Sequence, residues 1–312
     1  MAGYIEIDRD NVAQLAPIGT IKRGWISQVA WSPSGKTLAV AAAAGLVTYV
    51  DSLMQPPTQI FDEAHAGPVK TVAYSGDERL LATGSADTTV RLWNVDATSG
   101  LISERTVLEA HEDSVDAVVL SPQGTMLATA GSDQVIHLWN TEIGRKQATL
   151  VGHSGEVEAL GFGLRGHVIV SGSRDNTVRL WDLRAETGGT ILGEHDDWVR
   201  QLTVSPGGTW VATASKDMTV RIWDLLDAAQ IHILQAHAGG ADCVAFSPNG
   251  SLLASGGRDN DVKIWHVETG ELLTTLSRHE KPVLSVAFNP MGTMLISAGG
   301  DNQIVAWALP QK

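Results

Sequence analysis

The sequence is short of cysteine, of basic side chains and of long apolar segments. A single cysteine, Cys243, among 312 residues excludes a disulfide framework and any metal or redox motif built on several thiolates. Only 22 basic residues oppose 35 acidic ones, and the net charge of −13 argues against broad binding of nucleic-acid backbones, which needs a surplus of Lys and Arg. No run of about 18 apolar residues is present, so no membrane-spanning helix is predicted.

The N-terminal residues also lack the features of a secretory signal. Residues 1–12 contain Glu6, Asp8 and Asp10 and no apolar core segment. We therefore expect a soluble chain located in the cytoplasm. Residues 1–12 are predicted to be a leader, followed by one domain over residues 13–312.

Six copies of a repeat follow one another with a spacing of 42 to 46 residues. Each copy carries a histidine, a hydroxyl-bearing residue 18 positions later, an aspartate 4 positions after that, and a tryptophan 6 positions further. Such self-similarity indicates a repeat architecture. The six sets are His65, Thr83, Asp87 and Trp93; His111, Thr129, Asp133 and Trp139; His153, Ser171, Asp175 and Trp181; His195, Thr213, Asp217 and Trp223; His237, Ser255, Asp259 and Trp265; His279, Ser297, Asp301 and Trp307.

Each copy has the pattern of four short β-strands. An alternating segment such as residues 69–74 follows the histidine, and a Ser-Pro-x-Gly turn such as residues 121–124 separates the first strand from the second. Alternation with a period of two between Gly, Pro, Asn and Asp clusters predicts strands. A repeat of about 40–45 residues with four strands is typical of a propeller blade. Blades packed side by side around a channel bury both faces of each sheet.

The pattern resembles the WD-repeat (WD40) β-propeller family, although only Trp181-Asp182 and Trp223-Asp224 keep the literal Trp-Asp pair. A degenerate first copy is recognisable at residues 29–35, and the spacing of the repeat places Lys22, Val40, Ala44 and Val50 at its four signature positions. The last copy lacks a fourth strand, which residues 13–19 are predicted to supply. We therefore expect an all-β, seven-bladed β-propeller of four-stranded antiparallel blades, closed by an N-terminal strand that completes the last blade.

The resemblance implies that the four signature residues of each blade are joined by hydrogen bonds into a tetrad. The same residue types could form a Ser-His-Asp catalytic triad, but a triad is a single constellation beside an oxyanion hole, whereas here six equivalent copies occur. Histidines spread one per blade around a ring do not converge on an ion. The sequence therefore predicts no catalytic residue, no cofactor and no metal site.

In the family, partners bind the face that carries the histidine loops and the aspartate turns. Three positions in each blade are predicted to lie on this face: the residues three and five after the histidine, and the residue before the aspartate. Acidic residues gather there on the third and fourth blades, and basic residues on the fourth to sixth. Two interpretations stay open: solvated charges that neutralise one another in pairs worth about 0–1 kcal/mol, or a bipolar rim with tryptophan anchors that grips a charged peptide. The candidate partner-binding residues are Trp25, Lys70, Asp116, Glu156, Glu158, Arg174, Trp198, Arg200, Lys216, Asp242 and Arg258.

The expected function is that of a non-catalytic platform, a monomeric domain that binds a protein or peptide. One alternative is a propeller enzyme, a hydrolase or lyase with a site at the channel mouth. The histidines outside the tetrads share no position in the repeat that would gather them there: His137, His167, His232 and His266. The other alternative is a binder of nucleic acid or another anionic ligand through Arg174, Arg200, Lys216 and Arg258, which the net charge disfavours.

Overall fold

The structure, a computed structural model, describes residues 5–22, 24–50, 56–185 and 189–310. Within these ranges the chain forms seven four-stranded antiparallel sheets and two short 3₁₀ turns, Val12–Gln14 and Leu164–Gly166. The first strands of successive blades contact one another in a closed cycle. The expected seven-bladed propeller is therefore confirmed. No helix in the described ranges is long and apolar enough to cross a bilayer.

The strands of blades 1 to 6 follow one another in the chain. Blade 1 contains β2 (Ile26–Trp31), β3 (Thr37–Ala42), β4 (Gly45–Val50) and β5 (Gln59–Phe61). Blade 2 contains β6 (Val69–Tyr74), β7 (Leu80–Ser85), β8 (Thr89–Val95) and β9 (Ile102–Glu109). Blade 3 contains β10 (Val115–Leu120), β11 (Met126–Gly131), β12 (Ile136–Asn140) and β13 (Arg145–Leu150). Blade 4 contains β14 (Val157–Gly163), β15 (Val168–Ser173), β16 (Thr177–Asp182) and β17 (Thr190–Glu194).

The remaining blades repeat this order, except for the last strand of blade 7. Blade 5 contains β18 (Val199–Val204), β19 (Trp210–Ser215), β20 (Thr219–Asp224) and β21 (Ala229–Gln235). Blade 6 contains β22 (Ala241–Phe246), β23 (Leu252–Gly257), β24 (Asp261–His266) and β25 (Leu272–Ser277). Blade 7 contains β26 (Val283–Phe288), β27 (Leu295–Gly299), β28 (Gln303–Ala308) and, from the other end of the chain, β1 (Ala16–Lys22).

The closing strand β1 lies three residues later in the chain than predicted. Residues 13 and 14 belong to a 3₁₀ turn instead of the strand. The strand then pairs with β28 from Ala16 to Lys22, with a register shift between Pro17 and Gly19. Lys22 therefore ends β1 opposite Gln303 and does not occupy the histidine position of the loop, as the repeat spacing had predicted.

Blade 1 also corrects the prediction for its tryptophan position. Tyr49, not Val50, pairs with Leu38 as Trp93 pairs with Leu81 in blade 2. The reason is a hairpin one residue shorter, since β3 and β4 are joined by only two residues and the blade has no aspartate turn. Tyr49 is 2% exposed and fills the position with an aromatic ring.

The hydrophobic core of the described residues consists of seven clusters, each at the interface between two neighbouring blades. Close approach of the blades requires a small residue at some positions. A Cβ atom added to Gly172 would lie 2.5 Å from a methyl group of Val199 in the next blade. From the predicted leader, Ile7 and Val12 are buried in the cluster between blades 6 and 7.

We predict that deletion of residues 1–22 lowers the melting temperature and promotes self-association. The deletion exposes the backbone N–H and C=O groups of β28 as an unpaired sheet edge and removes three buried core residues, Ile7, Val12 and Leu15. Thermal unfolding and size-exclusion chromatography measure both effects. Deletion of residues 1–4 alone is the control, because it keeps β1, and equal behaviour of the two truncated chains contradicts the prediction.

Candidate functional site

The histidine, hydroxyl, aspartate and tryptophan of each signature set form one chain of hydrogen bonds. In blade 4 the indole N–H of Trp181 donates to Ser171 Oγ at 2.8 Å. The ring of His153 lies 2.7 Å from Ser171 Oγ through Nε2 and 2.8 Å from an Asp175 oxygen through Nδ1. The same three contacts recur in blades 2, 3, 5, 6 and 7 at 2.7–3.1 Å.

Protonation within each tetrad follows from the donors and acceptors. The hydroxyl oxygen accepts from tryptophan and donates its own proton to Nε2, so Nδ1 carries the proton that goes to the carboxylate. A neutral imidazole meets this requirement. Burial lowers the pKa of His65 and of His195, and outweighs the raising effect of Asp87 and Asp217. The histidine–aspartate contacts are therefore hydrogen bonds between a neutral ring and a carboxylate.

The aspartate also organises the tight turn before the third strand. Asp87 accepts the backbone N–H and the hydroxyl of Thr89 and the backbone N–H of Ala66. Burial alone would raise the pKa of Asp87, but these bonds hold it at about 2. The sequence analysis did not identify this threonine. It recurs as Thr177 and Thr219, two residues after the aspartate, and this spacing is the signal by which it could have been found.

Each histidine loop is tied to the aspartate turn of its own blade. In all seven blades, the residue before the aspartate position donates its backbone N–H to the carbonyl of the residue three after the histidine position, at 2.8–3.1 Å. Two of the three positions predicted to share a face therefore lie side by side. The donor–acceptor pairs are Ala43–Trp25, Ala86–Pro68, Ser132–Ser114, Arg174–Glu156, Lys216–Trp198, Arg258–Gly240 and Gly300–Pro282.

The third predicted position forms a ring around the mouth of the central channel. In every blade the first strand has a register shift at this residue, which is a β-bulge. A bulge leaves one residue unpaired and turns its side chain, and bulges are common beside functional sites. The seven bulge residues line one cavity of about 140 Å³: Ser27, Lys70, Asp116, Glu158, Arg200, Asp242 and Leu284.

The charges on blades 2 to 4 of this face are paired with one another. Lys70 Nζ lies 3.5 Å from Asp116. Arg174 contacts Glu156 at 2.9 Å and Glu158 at 2.5 Å. Burial raises the pKa of Glu158, although Arg174 acts in the opposite direction. Two cations are therefore paired with three carboxylates in this part of the predicted rim.

Blades 5 and 6 continue the same arrangement. Asp242 contacts Arg200 and, at 2.7 Å, Arg258, and burial raises the pKa of Asp242 against the lowering effect of both cations. Lys216 pairs at 3.2 Å with Asp197, which the sequence analysis did not select. Ion pairs therefore connect acidic and basic residues of the rim from blade 2 to blade 6.

Trp198 lies among these charges and Trp25 does not. The centre of the Trp198 ring is 4.2 Å from Lys216 Nζ and 4.7 Å from the guanidinium carbon of Arg174, a cation–π geometry. Trp25 lies against Gly300 and is 53% exposed, whereas Trp198 is 37% exposed. Trp25 is therefore the more accessible of the two aromatic side chains.

The predicted positions near Trp25 carry little charge, although the side chain of Lys281 also lies beside Gly300. Of the nine predicted positions in blades 7, 1 and 2, only Lys70 is ionisable. We call six of the others the apolar sector: Trp25, Ala43, Pro68, Ala86, Pro282 and Leu284. Apart from Trp25, these residues were not among those predicted from the sequence, because clusters of charge were the signal used there.

One group of side chains in the described ranges has the composition of a metal site. A ligand atom from each of His111, Asp133 and His137 lies within 4.8 Å of the other two. The rings of His111 and His137 are stacked, with centroids 4.7 Å apart. Of these three residues, His137 lies outside the tetrads, whereas His111 and Asp133 belong to the tetrad of blade 3.

We predict that Trp181→Ala lowers the free energy of unfolding by about 3–5 kcal/mol, the range for removal of a large buried aromatic side chain. The indole is 2% exposed and packs between blades 3 and 4, and its loss also leaves Ser171 without a donor. Urea unfolding followed by fluorescence gives the difference. A melting temperature within one degree of the parent contradicts a structural role for the tetrad.

Stability is expected to fall in mild acid because the tetrad histidines are neutral. The pKa values of His65, His195, His237 and His279 are lowered, mainly by burial. Since histidine in the unfolded chain titrates near 6.5, the unfolded state takes up protons first as the pH falls. The free energy of unfolding should have its highest value above about pH 7 and decline below about pH 6.5. Urea titrations at pH 7.5 and 5.0 test this, and equal values at both contradict it.

Comparison with known proteins agrees with this geometry. The family model for the WD domain, G-beta repeat, matches residues 55–94, 102–140, 144–182, 188–224, 228–266 and 270–308, about three quarters of the chain. A search of curated proteins gave no match. The unmatched N-terminal segment contains β1 and most of blade 1, the blade without a tetrad. The chain belongs to the WD40 repeat family of β-propellers.

Proposed function

We propose that this protein is a non-catalytic platform that binds a peptide or an extended loop of another protein, through the apolar sector of its loop face. The observation that carries the proposal is the exposed indole of Trp25 on a part of the loop face where only one of the nine predicted positions, Lys70, is ionisable. An exposed tryptophan among apolar neighbours is the composition of an interface hot spot. WD40 propellers commonly serve as protein-interaction scaffolds, which supports the same conclusion.

The charged part of the face supplies selectivity in this proposal and the apolar sector supplies affinity. The four basic residues considered for anionic ligands, Arg174, Arg200, Lys216 and Arg258, each contact a carboxylate of the protein. An anionic ligand therefore has to compete with those carboxylates. A peptide that places an apolar side chain against Trp25 meets no such competition, and mismatched charges near the rim select among peptides.

A catalytic role is supported less well by the same contacts. Both nitrogens of each tetrad histidine are within hydrogen-bond distance of partners in its own blade. The carboxylates Glu158 and Asp242 at the channel mouth do have raised pKa values, but each is held by arginine. Perturbed carboxylates in such ion-pair networks are also found outside active sites.

The proposal predicts that Trp25→Ala weakens peptide binding by about 30-fold or more, the loss typical of a hot-spot aromatic residue. Peptides selected from a displayed random library on the immobilised full-length chain are the probes, and fluorescence anisotropy measures their dissociation constants. Leu226→Ser is the matched control, since Leu226 is exposed at the opposite end of its blade from the loop face. The control should bind like the parent.

The double variant Trp198→Ala with Glu158→Ala shows whether peptide binding depends more on the apolar sector or on the charged rim. Our proposal expects this double variant to weaken binding less than Trp25→Ala does, because Trp198 and Glu158 are already engaged by Arg174 and Lys216. Larger losses in the double variant than in Trp25→Ala contradict the apolar sector and support the bipolar rim. Failure to select any peptide whose binding depends on the apolar sector or on the charged rim contradicts the platform function itself.

A further inference from the structure

The position two residues before the tryptophan differs in blade 3 from all other blades with a tetrad. Blades 2, 4, 5 and 6 have Arg91, Arg179, Arg221 and Lys263 there, and blade 7 has Val305. In blades 5 and 6 this cation contacts the tetrad aspartate, with Arg221 3.3 Å from Asp217 and Lys263 3.4 Å from Asp259. Blade 3 has His137 instead, so its aspartate, Asp133, lacks the permanent cation that two sister blades supply from this position.

The ring of His137 lies beside the tetrad and has a nitrogen atom that can bind a metal ion. Its ring stacks on that of His111, and its Nδ1 lies 2.9 Å from the hydroxyl of Thr149. Burial lowers the pKa of His137 to about 4, so the ring is neutral near pH 7, as metal ligation requires. The side chain of Asp133 is 12% exposed, which leaves an approach from solvent.

We propose that His111, Asp133 and His137 form a binding site for a divalent transition-metal ion, with Zn²⁺ as the best-fitting ion. Two imidazoles and one carboxylate are a zinc ligand set that leaves a fourth position for water. The ion supplies the positive charge that arginine or lysine supplies in sister blades. This ligand set is specific to blade 3 among the blades with a tetrad, because only blade 3 places a second imidazole beside the aspartate.

The ligand atoms need to approach one another before they can share the ion. Zinc bonds of about 2.0–2.1 Å place tetrahedral ligands roughly 3.3 Å apart, against the 4.8 Å within which these atoms now lie. His111 exchanges the contact between Nδ1 and Asp133 for the metal and carries its proton on Nε2. It then donates to the Thr129 hydroxyl, which also accepts the indole N–H of Trp139. Thr129 therefore keeps both contacts, and its own hydroxyl proton no longer goes to Nε2.

Lys146 is the cation that acts most directly against this site. It lies on β13, opposite Trp139, and it lowers the pKa of both His111 and His137. Its side chain is exposed, so solvent and salt screen its repulsion of an incoming ion. The ion has direct ligands whereas Lys146 acts from a distance.

The test measures Zn²⁺ binding to the full-length chain after treatment with a chelator, by competition with a zinc-responsive fluorescent dye at pH 7.5. The variant is His137→Arg, which installs the residue that blades 2, 4 and 5 use and therefore should keep the fold. Changes in the outer shell of a metal site already cost about 10–100-fold in affinity, so loss of a ligand should weaken binding by more than about 100-fold. The parent should bind one equivalent.

Two measurements decide the assignment. Zinc should raise the melting temperature of the parent and leave that of His137→Arg unchanged, while melting without zinc shows that the variant is folded. Weak sites at other surface histidines remain in both chains and cancel. Equal zinc affinity in parent and variant, or no zinc binding by the parent, overturns the proposal.

A gain of binding gives an independent check. Arg179→His combined with Ile191→Thr recreates the blade 3 arrangement in blade 4, beside His153 and Asp175, because Ile191 pairs with Arg179 as Thr149 pairs with His137. The variant should bind a second equivalent of Zn²⁺. A single equivalent contradicts the argument from the position of the residue in the repeat. Neither experiment depends on the peptide-binding function proposed for the apolar sector.

Discussion

The structure depends on a buried imidazole whose two nitrogens both have partners. One nitrogen reaches the second strand through a hydroxyl and the other reaches the aspartate turn, so a single ring joins the loop, the second strand and the third strand of a blade. An orphaned member of such a set costs about 1–3 kcal/mol when buried. This cost keeps all four residues together. Blade 1 avoids it by replacing the set with apolar side chains and a shorter hairpin.

The tetrads hold each blade together from the interior. The side chains on the loop face can therefore differ from blade to blade. The bulge at the start of each first strand brings one side chain per blade to the channel mouth, whatever its chemistry. Neighbouring blades have used this freedom to place acids and bases that neutralise one another over blades 2 to 6. The apolar sector lies on blades 7, 1 and 2. The loop face therefore differs in chemistry from one side of the ring to the other, although the blades share one architecture.

Blade 3 shows how a repeat can acquire a new chemical property by a single change. The position two residues before the tryptophan is occupied by a cation in four blades. This cation contacts the tetrad aspartate in blades 5 and 6, a backbone carbonyl in blade 4 and Glu104 in blade 2. An imidazole there stacks on the tetrad histidine instead. The tetrad itself remains intact in the structure, so the substitution adds ligand atoms without removing the bonds that hold the blade.

The sequence by itself determined the number of blades, the tetrads and the three positions that share a face, because in a repeat the place of a residue in the period is also its place in the blade. Only the tertiary structure decided features that depend on side-chain contacts or on departures from the period. The start of β1 depends on a 3₁₀ turn, Tyr49 replaces Val50 because one hairpin is shorter, and Lys216 pairs with Asp197 through side-chain reach. Ring stacking of His137 on His111 likewise joins residues 26 positions apart, a distance that only pairing of strands brings to contact.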